Sequence, residues 1–442
     1  MPPKVLFLDW VLSIHTAVGK GTLMLASSEK SFDVAEIISG QHIMAYFQPL
    51  VSVQRKAIIG FEGLSRGINP FDKSIISPID LFTQANARGL NHDLDLVCRA
   101  KILQSFSSIK NRGAEVILSV NVDASSIENK DWTGRLKEQV LAAGLTPHNI
   151  VIEIIESAIP DVHKLQRFVE SYRDSGYLIA LDDVGAGHSN LNRIPQIKPD
   201  IIKVDRYLIQ DIDKDFYKQE VLKSMVSMSE HLGTVMIAEG VETYEEAHTL
   251  LDIGVDVIQG YYFAKPKPHG ELEENLIRTR IDELGQSFRK NQIVNMGNKR
   301  FNMKRYFSLL EEVQRDLVTA EMSTLEEKLK KVAKSFSNIE CLYVLDEDGF
   351  QATEMVFNTS RKAGRHSAMF KALPKGADHT MRDYYYFLMD GGLSKSTYVT
   401  KPYVSMATGN NCVTIGSLFL DQNQKKHILC LDIRTTSKNS TH

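Results

Sequence analysis

The chain has 442 residues, of which 43% are hydrophobic and 24% charged, and its formal net charge is −3. At roughly 150 residues per domain it holds two or three domains, and it is long enough to bury a sizeable core. This composition excludes disordered, collagen-like and mucin-like chains, and the near-neutral charge excludes a chain-wide basic field for long nucleic acid or an anionic membrane.

Residues 1–40 read as a lead-in. Its apolar run, Val5–Leu8, is interrupted by Asp9, so it is too short for a membrane span and lacks the clean core of a signal peptide. From residue 41 to 270 short β-rich runs alternate with stretches of helical periodicity. The runs are Ala45–Val53, Ala57–Leu64, Ala114–Val122, Asn149–Ile155, Leu178–Val184, Ile201–Asp205, Val235–Val241 and Val257–Phe263. Helices are predicted at Pro78–Arg88, Asp93–Phe106, Val162–Asp174, Phe216–Leu232 and Tyr244–Leu251. Eight such units predict an α/β fold, a TIM-like (β/α)8 barrel, with an open doubly wound sheet as the alternative. Only Gln54, Arg55 and Lys56 separate the first two runs. A parallel crossover needs a dozen or more residues, so this pair must be an antiparallel hairpin, and the barrel carries one reversed strand.

After Pro266 the pattern changes. Residues 271–299 read as a helical connector, with Leu272, Leu276, Ile281 and Leu284 on the apolar stripe of Glu271–Arg289. Residues 300–436 read as a second, smaller α/β domain. Its predicted helices are Arg305–Leu317 and Leu325–Phe336. Its predicted strands are Cys341–Leu345, Gln351–Phe357, Cys412–Leu420 and His427–Ile433, with a turn at Asp348-Gly349. Residues 437–442 are a polar tail. Cys98, Cys341, Cys412 and Cys430 share no C-x-x-C spacing, which fits a reducing cytoplasm rather than a zinc or disulfide framework.

At or just after the ends of the barrel strands stand Gln48, Glu62, Asn121, Glu153, Asp182 with Asp183, Lys203, Glu239 and Gln259. In a barrel these ends converge on one mouth. Five carboxylates against one lysine raise one another's pKa values unless a cation joins them, and carboxylate, amide oxygen and water suit Mg²⁺ or Mn²⁺. The adjacent pair Asp182-Asp183 can bridge two ions, which clamp the attacking and leaving oxygens of a phosphoryl displacement. Arg66, four residues after Glu62, is positioned to bind a phosphate. The residues therefore point to a metal-dependent phosphodiesterase acting on a small anionic substrate.

Glu62-Gly63-Leu64-Ser65-Arg66 resembles the E-A-L-x-R motif of the bacterial EAL-type cyclic di-GMP phosphodiesterases. Gln48-Pro49-Leu50 resembles the family's Q-P-I, Ser119-Val120-Asn121 its S-V-N, and Glu153-Ile154-Ile155-Glu156-Ser157 its E-L-T-E-S. Leu181–Gly187 resembles L-D-D-F-G-T-G, Ile202–Asp205 resembles I-K-I-D, Ala238–Thr243 is identical to A-E-G-V-E-T, and Gln259–Phe263 resembles Q-G-Y-x-F. The resemblance implies hydrolysis of cyclic di-GMP to linear pGpG with Mg²⁺ or Mn²⁺ in a two-metal site. It implies Glu62, Asn121, Glu153 and Asp182 as ligands of the first metal and Asp183 with Asp182 at the second. It implies Glu239 as general base or water-orienting residue, Lys203 as the cation at the attacked centre, Gln259 as a positioning residue and Glu156 as a brace for the loop after Asp183. Gln48, Leu64, Arg66 and Asp205 are then substrate contacts. The alternative is a cyclic di-GMP receptor with little or no turnover. Departures are Gly63 for alanine, which adds backbone freedom beside a ligand, Ile155 for threonine, and Val184, Ala186 and His188 in the loop.

Tyr398–Tyr403, Thr408-Gly409 and the strand after them resemble sensor domains of the PAS-like or Cache type. Arg382, Tyr384, Tyr386, Tyr398, Tyr403 and Asp432 then line a small-ligand pocket, or serve as core and sheet-face packing. The family resemblance also implies a homodimer.

Overall fold

The computed structural model describes residues 32–110, 116–122, 132–155, 161–186, 191–318, 324–358, 372–390, 397–405 and 408–435. The chain divides into two compact units, Met1–Asn291 and Gln292–His442.

In the first unit all eight expected strands are present. They are β1 (Ile43–Ser52) and β2 (Ala57–Ile68), then, after the two-residue β3 (Ile75–Ile76), β4 (Ile117–Asn121), β5 (Ile150–Ile155), β6 (Leu178–Val184), β7 (Ile201–Val204), β8 (Val235–Ala238) and β9 (Val257–Ile258). The ladder runs β1-β9-β8-β7-β6-β5-β4-β2 and closes on itself through β1–β2, with β3 appended to β2. β1 pairs antiparallel with both of its neighbours, while β2 and β4 through β9 pair in parallel. The four-residue connection thus dictates the reversed strand, as its length requires.

The helices between strands are delimited by local chemistry. Ser77 caps Pro78–Arg88, which ends on left-handed Gly89, and the Asp215 carboxylate caps Phe216–Leu232 by accepting from the amides of Tyr217 and Lys218. Thr243 and Glu246 form a reciprocal capping box at Tyr244–Ile253, so the last residues of A-E-G-V-E-T start a helix. Ordered packing begins before residue 41. Helix Val34–Ser39, capped by Asp33, buries Val34 and Ile37 against Ile43, Leu81, Phe82 and Leu94.

The barrel interior explains the site. Leu50, Val151, Ala180, Ile201, Ile237 and Val257 form one buried apolar layer. Side chains alternate across a strand, so the residue two further on points to the same face. Two positions toward the mouth from these residues stand Gln48, Glu153, Asp182, Lys203, Glu239 and Gln259; in β1 the step runs backward because that strand is reversed. An apolar plug therefore floors a polar ring.

Helix Glu274–Val318 starts in the first unit and ends in the second. The two helices expected at Glu271–Arg289 and Arg305–Leu317 are one. The intervening Asn295, Gly297, Asn298 and Asn302 lower helix propensity, but the segment has no proline to break the backbone ladder.

The second unit is built on β10 (Ile339–Leu345), β11 (Val356–Phe357), β12 (Thr397–Val399), β13 (Tyr403–Val404), β14 (Asn411–Leu420) and β15 (Lys426–Arg434). The order is β11-β10-β15-β14-β12, with β13 also on β14, and every pair is antiparallel. Only Val356–Phe357 of the expected strand Gln351–Phe357 is laddered. Gln351 makes a lone bridge to Leu345 across the turn at Gly349. Leu309, Leu310, Val313 and Leu317 of the long helix, with Leu325, Leu329 and Val332 of helix Leu325–Ser335, cover one face of the sheet. Tyr384 and Leu388 of helix Asp383–Asp390 pack on Tyr343, Leu418, Ile428 and Cys430 of the other.

Candidate active site

At the barrel mouth lies a cavity of about 410 Å³ lined by Gln48, Glu62, Leu64, Arg66, Asn121, Asp182, Asp183, Lys203, Asp205, Glu239 and Gln259. Glu153 sits fully buried and in contact with Lys203. All the expected site residues are brought together except Glu156, which lies outside the described residues, as does His188.

Lys203, 1% exposed, is the hub. Its Nζ lies 2.6 Å from Glu239, 2.7 Å from Glu153, 3.3 Å from Asp182 and 3.9 Å from Glu62. Burial opposes its charge, but Asp182, Glu153, Glu239 and Glu62 together hold the ammonium well above its ordinary pKa. The carboxylates feel the converse. Burial, reinforced by Glu62 and Asp182, pushes Glu153 up to about 8. Burial and the neighbouring Asp182 and Asp205 push Asp183 up to about 8. Burial also raises Asp182, and lifts Glu239 well above the carboxylate range. One ammonium does not neutralise five acids in a closed space.

The amides hold the remaining geometry. Gln259 Nε2 donates to Gln48 Oε1 (3.0 Å) and to Glu62 Oε2, and Asn121 Nδ2 donates to Glu62 Oε1 (3.3 Å). Gln48 Nε2 donates in turn to the carbonyl of Ala264 (3.1 Å). Asp182 and Asp183 stand where the β6–β7 register shifts. Asp183 adopts a left-handed φ of 57°, which aspartate tolerates better than most residues, and its amide donates to Asp182 Oδ1 (3.0 Å). That kink turns two consecutive carboxylates to one mouth, where a regular strand would send them to opposite faces.

The donor set fits divalent metal. Oxygens of Asp182, Asp183 and Glu239 lie within 4.8 Å of one another. Glu153 Oε2 and Gln259 Oε1 are buried without a hydrogen-bond partner, an arrangement that an oxygen-loving cation or its water satisfies.

Two of the expected substrate contacts also serve the protein. Arg66 lies over the Tyr46 ring (5.0 Å) and donates to its neighbour's carbonyl at Ser65 (2.8 Å). Asp205 caps helix Arg206–Ile209 through the amide of Tyr207 (2.7 Å). The wall also includes residues not singled out from sequence: Tyr261 and the ion pair Arg206–Glu242 (2.9 Å). Glu242, three residues beyond Glu239 in one motif, and Tyr261, two beyond Gln259, were findable by that adjacency. Arg99 also lines the wall. It comes from the middle of helix Asn91–Lys110 and carried no such signal.

Two glycines of the motifs have steric reasons. A Cβ on Gly260 would lie 2.1 Å from the carbonyl oxygen of Val241, so the two motifs touch backbone to backbone. Gly63 is not where backbone freedom is used, since it lies in the regular β2 ladder opposite Phe47. A Cβ there would lie 2.4 Å from Ile102 Cγ2, so the glycine makes room for the helix packed behind it. Gly63→Ala will therefore destabilise the barrel by about 1–3 kcal/mol. In a double-mutant cycle with Ile102→Ala, chemical denaturation should show the pair less destabilised than the sum of the single variants. Strict additivity would remove the Ile102 contact as the cause.

In the second unit Tyr403 and Asp432 share the Thr414 hydroxyl, Tyr384 is buried among other polar groups, and Arg382 is exposed. Tyr384 hydroxyl meets Tyr343 (3.3 Å) and His379 Nδ1 (2.8 Å). Asp432 accepts from Thr414 (2.7 Å) and Cys341 (3.2 Å), and Tyr403 meets Thr414 (2.8 Å). Tyr398 packs on Phe387, and Tyr386 is 60% exposed.

A family model described as the EAL domain matches residues 32–266. The signaling protein YkoW of Bacillus subtilis (strain 168) is 26% identical over 243 residues, 55% of this chain and 30% of that protein. The cyclic di-GMP phosphodiesterase RocR of Pseudomonas aeruginosa is 27% identical over 238 residues, 53% of this chain and 60% of that protein. The matched part thus spans less than two thirds of either relative. The crystal structure of the Bacillus subtilis YkuI protein, with an EAL domain, in complex with substrate c-di-GMP and calcium, superposes with a TM-score of 0.77 at 21% identity. It covers 92% of this chain and 100% of that one, a likeness of fold that extends beyond the barrel. With more than half of its length matched by the family model and the family's motifs gathered at one barrel mouth, the chain belongs to the EAL domain family.

Proposed function

We propose that the barrel hydrolyses cyclic di-GMP to linear pGpG with bound divalent metal, Mg²⁺ or Mn²⁺. The observation that carries this reading is the set of five carboxylates at one barrel mouth, four of them within 4 Å of Lys203 and the fifth, Asp183, beside Asp182 and Glu239, lining and flooring a cavity beside Arg66. The name of the Pseudomonas relative and the ligands of the YkuI crystal support the substrate and the need for a metal. Glu62, Asn121, Glu153 and Asp182 would hold one ion, and Asp182 with Asp183 the second. The bound metals supply charge neutralisation and Lewis acidity. Glu239 takes a proton from the attacking water, whose oxygen bonds to phosphorus as the P–O3′ bond breaks, and the 3′ oxygen leaves with the bonding electron pair and becomes the hydroxyl by taking a proton from solvent water. Lys203 keeps Glu239 oriented and offsets charge that builds on the phosphoryl oxygens. Gln48, Leu64, Arg66 and Asp205 seat the dinucleotide, and Glu156 braces the loop after Asp183.

Residues 300–436 are read as a PAS/Cache-like sensor that modulates the barrel and binds a small ligand. The antiparallel sheet, covered by helices on both faces, supports this reading. The working form is a homodimer in the cytoplasm. Four cysteines buried and unbridged support a reducing compartment, and no described helix is long and apolar enough to cross a membrane.

The test is incubation of purified protein with cyclic di-GMP and Mn²⁺ or Mg²⁺, following bound nucleotide and pGpG together. Steady pGpG that EDTA abolishes is the expected result. Tight binding without pGpG would replace the enzyme by a receptor.

A further inference from the structure

Between Glu283 and Glu311 the chain has no carboxylate, yet it carries six cations: Arg289, Lys290, Lys299, Arg300, Lys304 and Arg305. The overall charge of −3 conceals this local field. Residues 292–308 are all helical. At 3.6 residues per turn, Ile293, Val294, Phe301 and Phe307 share less than half of the helix circumference with Arg300 and Lys304. Asn295, Asn298 and Asn302 take the opposite side. The apolar members stand in solvent, with Ile293 75% and Phe301 63% exposed, and both cations are exposed too. Large apolar side chains gathered on one exposed face mark a contact surface.

Charge selects the occupant. A second copy presenting this same face would set cation against cation, with no carboxylate in the segment to answer either. An anionic lipid surface offers both chemistries at once, phosphates for Arg300 and Lys304 and an acyl boundary for the isoleucine, valine and phenylalanines. We propose that helix segment 292–308 is a docking face for an anionic lipid bilayer, seating the protein on the membrane surface without crossing it.

The full-length chain is sedimented with vesicles of phosphatidylcholine alone and of phosphatidylcholine with phosphatidylglycerol, while light scattering follows its mass. Binding only to the phosphatidylglycerol vesicles, weakened by added salt, is expected. Arg300→Gln/Lys304→Gln should lower partitioning about 25-fold, roughly fivefold for each cation removed. Ile293→Ser/Phe301→Ser should lower it at least about tenfold through lost apolar burial. Circular dichroism and melting temperature should be unchanged in both variants. The proposal falls if neither vesicle binds, if neutral vesicles bind equally, or if either variant binds as the wild type does. It also falls if Ile293→Ser/Phe301→Ser converts a dimer to a monomer while vesicle binding persists, since the face would then belong to a second copy.

Discussion

Replacing Lys203 by methionine will destabilise the metal-free protein by about 3–5 kcal/mol at pH 8, seen as a lower melting temperature in EDTA. The ammonium is 1% exposed and lies within 4 Å of four carboxylates from four strands, so its loss leaves buried acids facing one another. Acidification will shrink the loss, because those acids then take up protons. The wild type has its own pH dependence. Glu153 and Asp183 titrate near 8 in the folded chain, against ordinary values of 4.5 and 3.8. Between those limits the unfolded chain binds fewer protons. Folding stability of the metal-free protein is therefore full below the lower values and falls as pH rises toward 8. Divalent metal takes the place of those protons, so the rise in melting temperature on adding Mn²⁺ should be larger at high pH than at low. A Lys203→Met variant that melts like wild type in EDTA at pH 8 would show that the ammonium does not hold the ring together.

Glu239→Gln will lower turnover of cyclic di-GMP by about 10²- to 10⁴-fold, the range for removal of a general base, while nucleotide affinity changes by no more than a few-fold. The substitution keeps shape and one acceptor oxygen but cannot take the proton from water. Glu239 also lies in the triad with Asp182 and Asp183, so the Mn²⁺ affinity of the variant must be measured beside its rate. Unchanged metal affinity with lost turnover identifies the base. Parallel loss of metal affinity would move Glu239 into the ligand set.

The Gly63 substitution and the vesicle experiment probe other links. Gly63 tests whether a motif position is dictated by packing behind the site rather than by chemistry within it. The helix face tests whether a charge segregated along the chain acts locally even though the whole is near neutral.

Much of the barrel was legible in the sequence because its rules are local. Side chains alternate along a strand, so an apolar residue followed two positions later by a polar one, as in Val151/Glu153, Ile201/Lys203 and Ile237/Glu239, marks floor and rim together. Four residues between β1 and β2 cannot make a parallel crossover, so chain length alone imposed the reversed strand. The caps at Ser77, Asp215 and Thr243 likewise act within a few residues. What needed the tertiary structure depends on residues far apart in the chain. Closure of the barrel brings Glu62, Glu153, Asp182 and Glu239 around a single lysine, and the raised pKa values of Glu153, Asp182 and Glu239 follow from that shared burial rather than from any one strand. Gly63 looked like a source of freedom beside a ligand until Ile102, from a helix that follows it in the chain, proved to occupy the space. Two helices are expected at Glu271–Arg289 and Arg305–Leu317, yet the residues between them are helical as well, because propensity is a weak penalty and the packed turns at either end outweigh it. Pattern and connection length determined which residues face the mouth; only the closed fold decided which charges meet there.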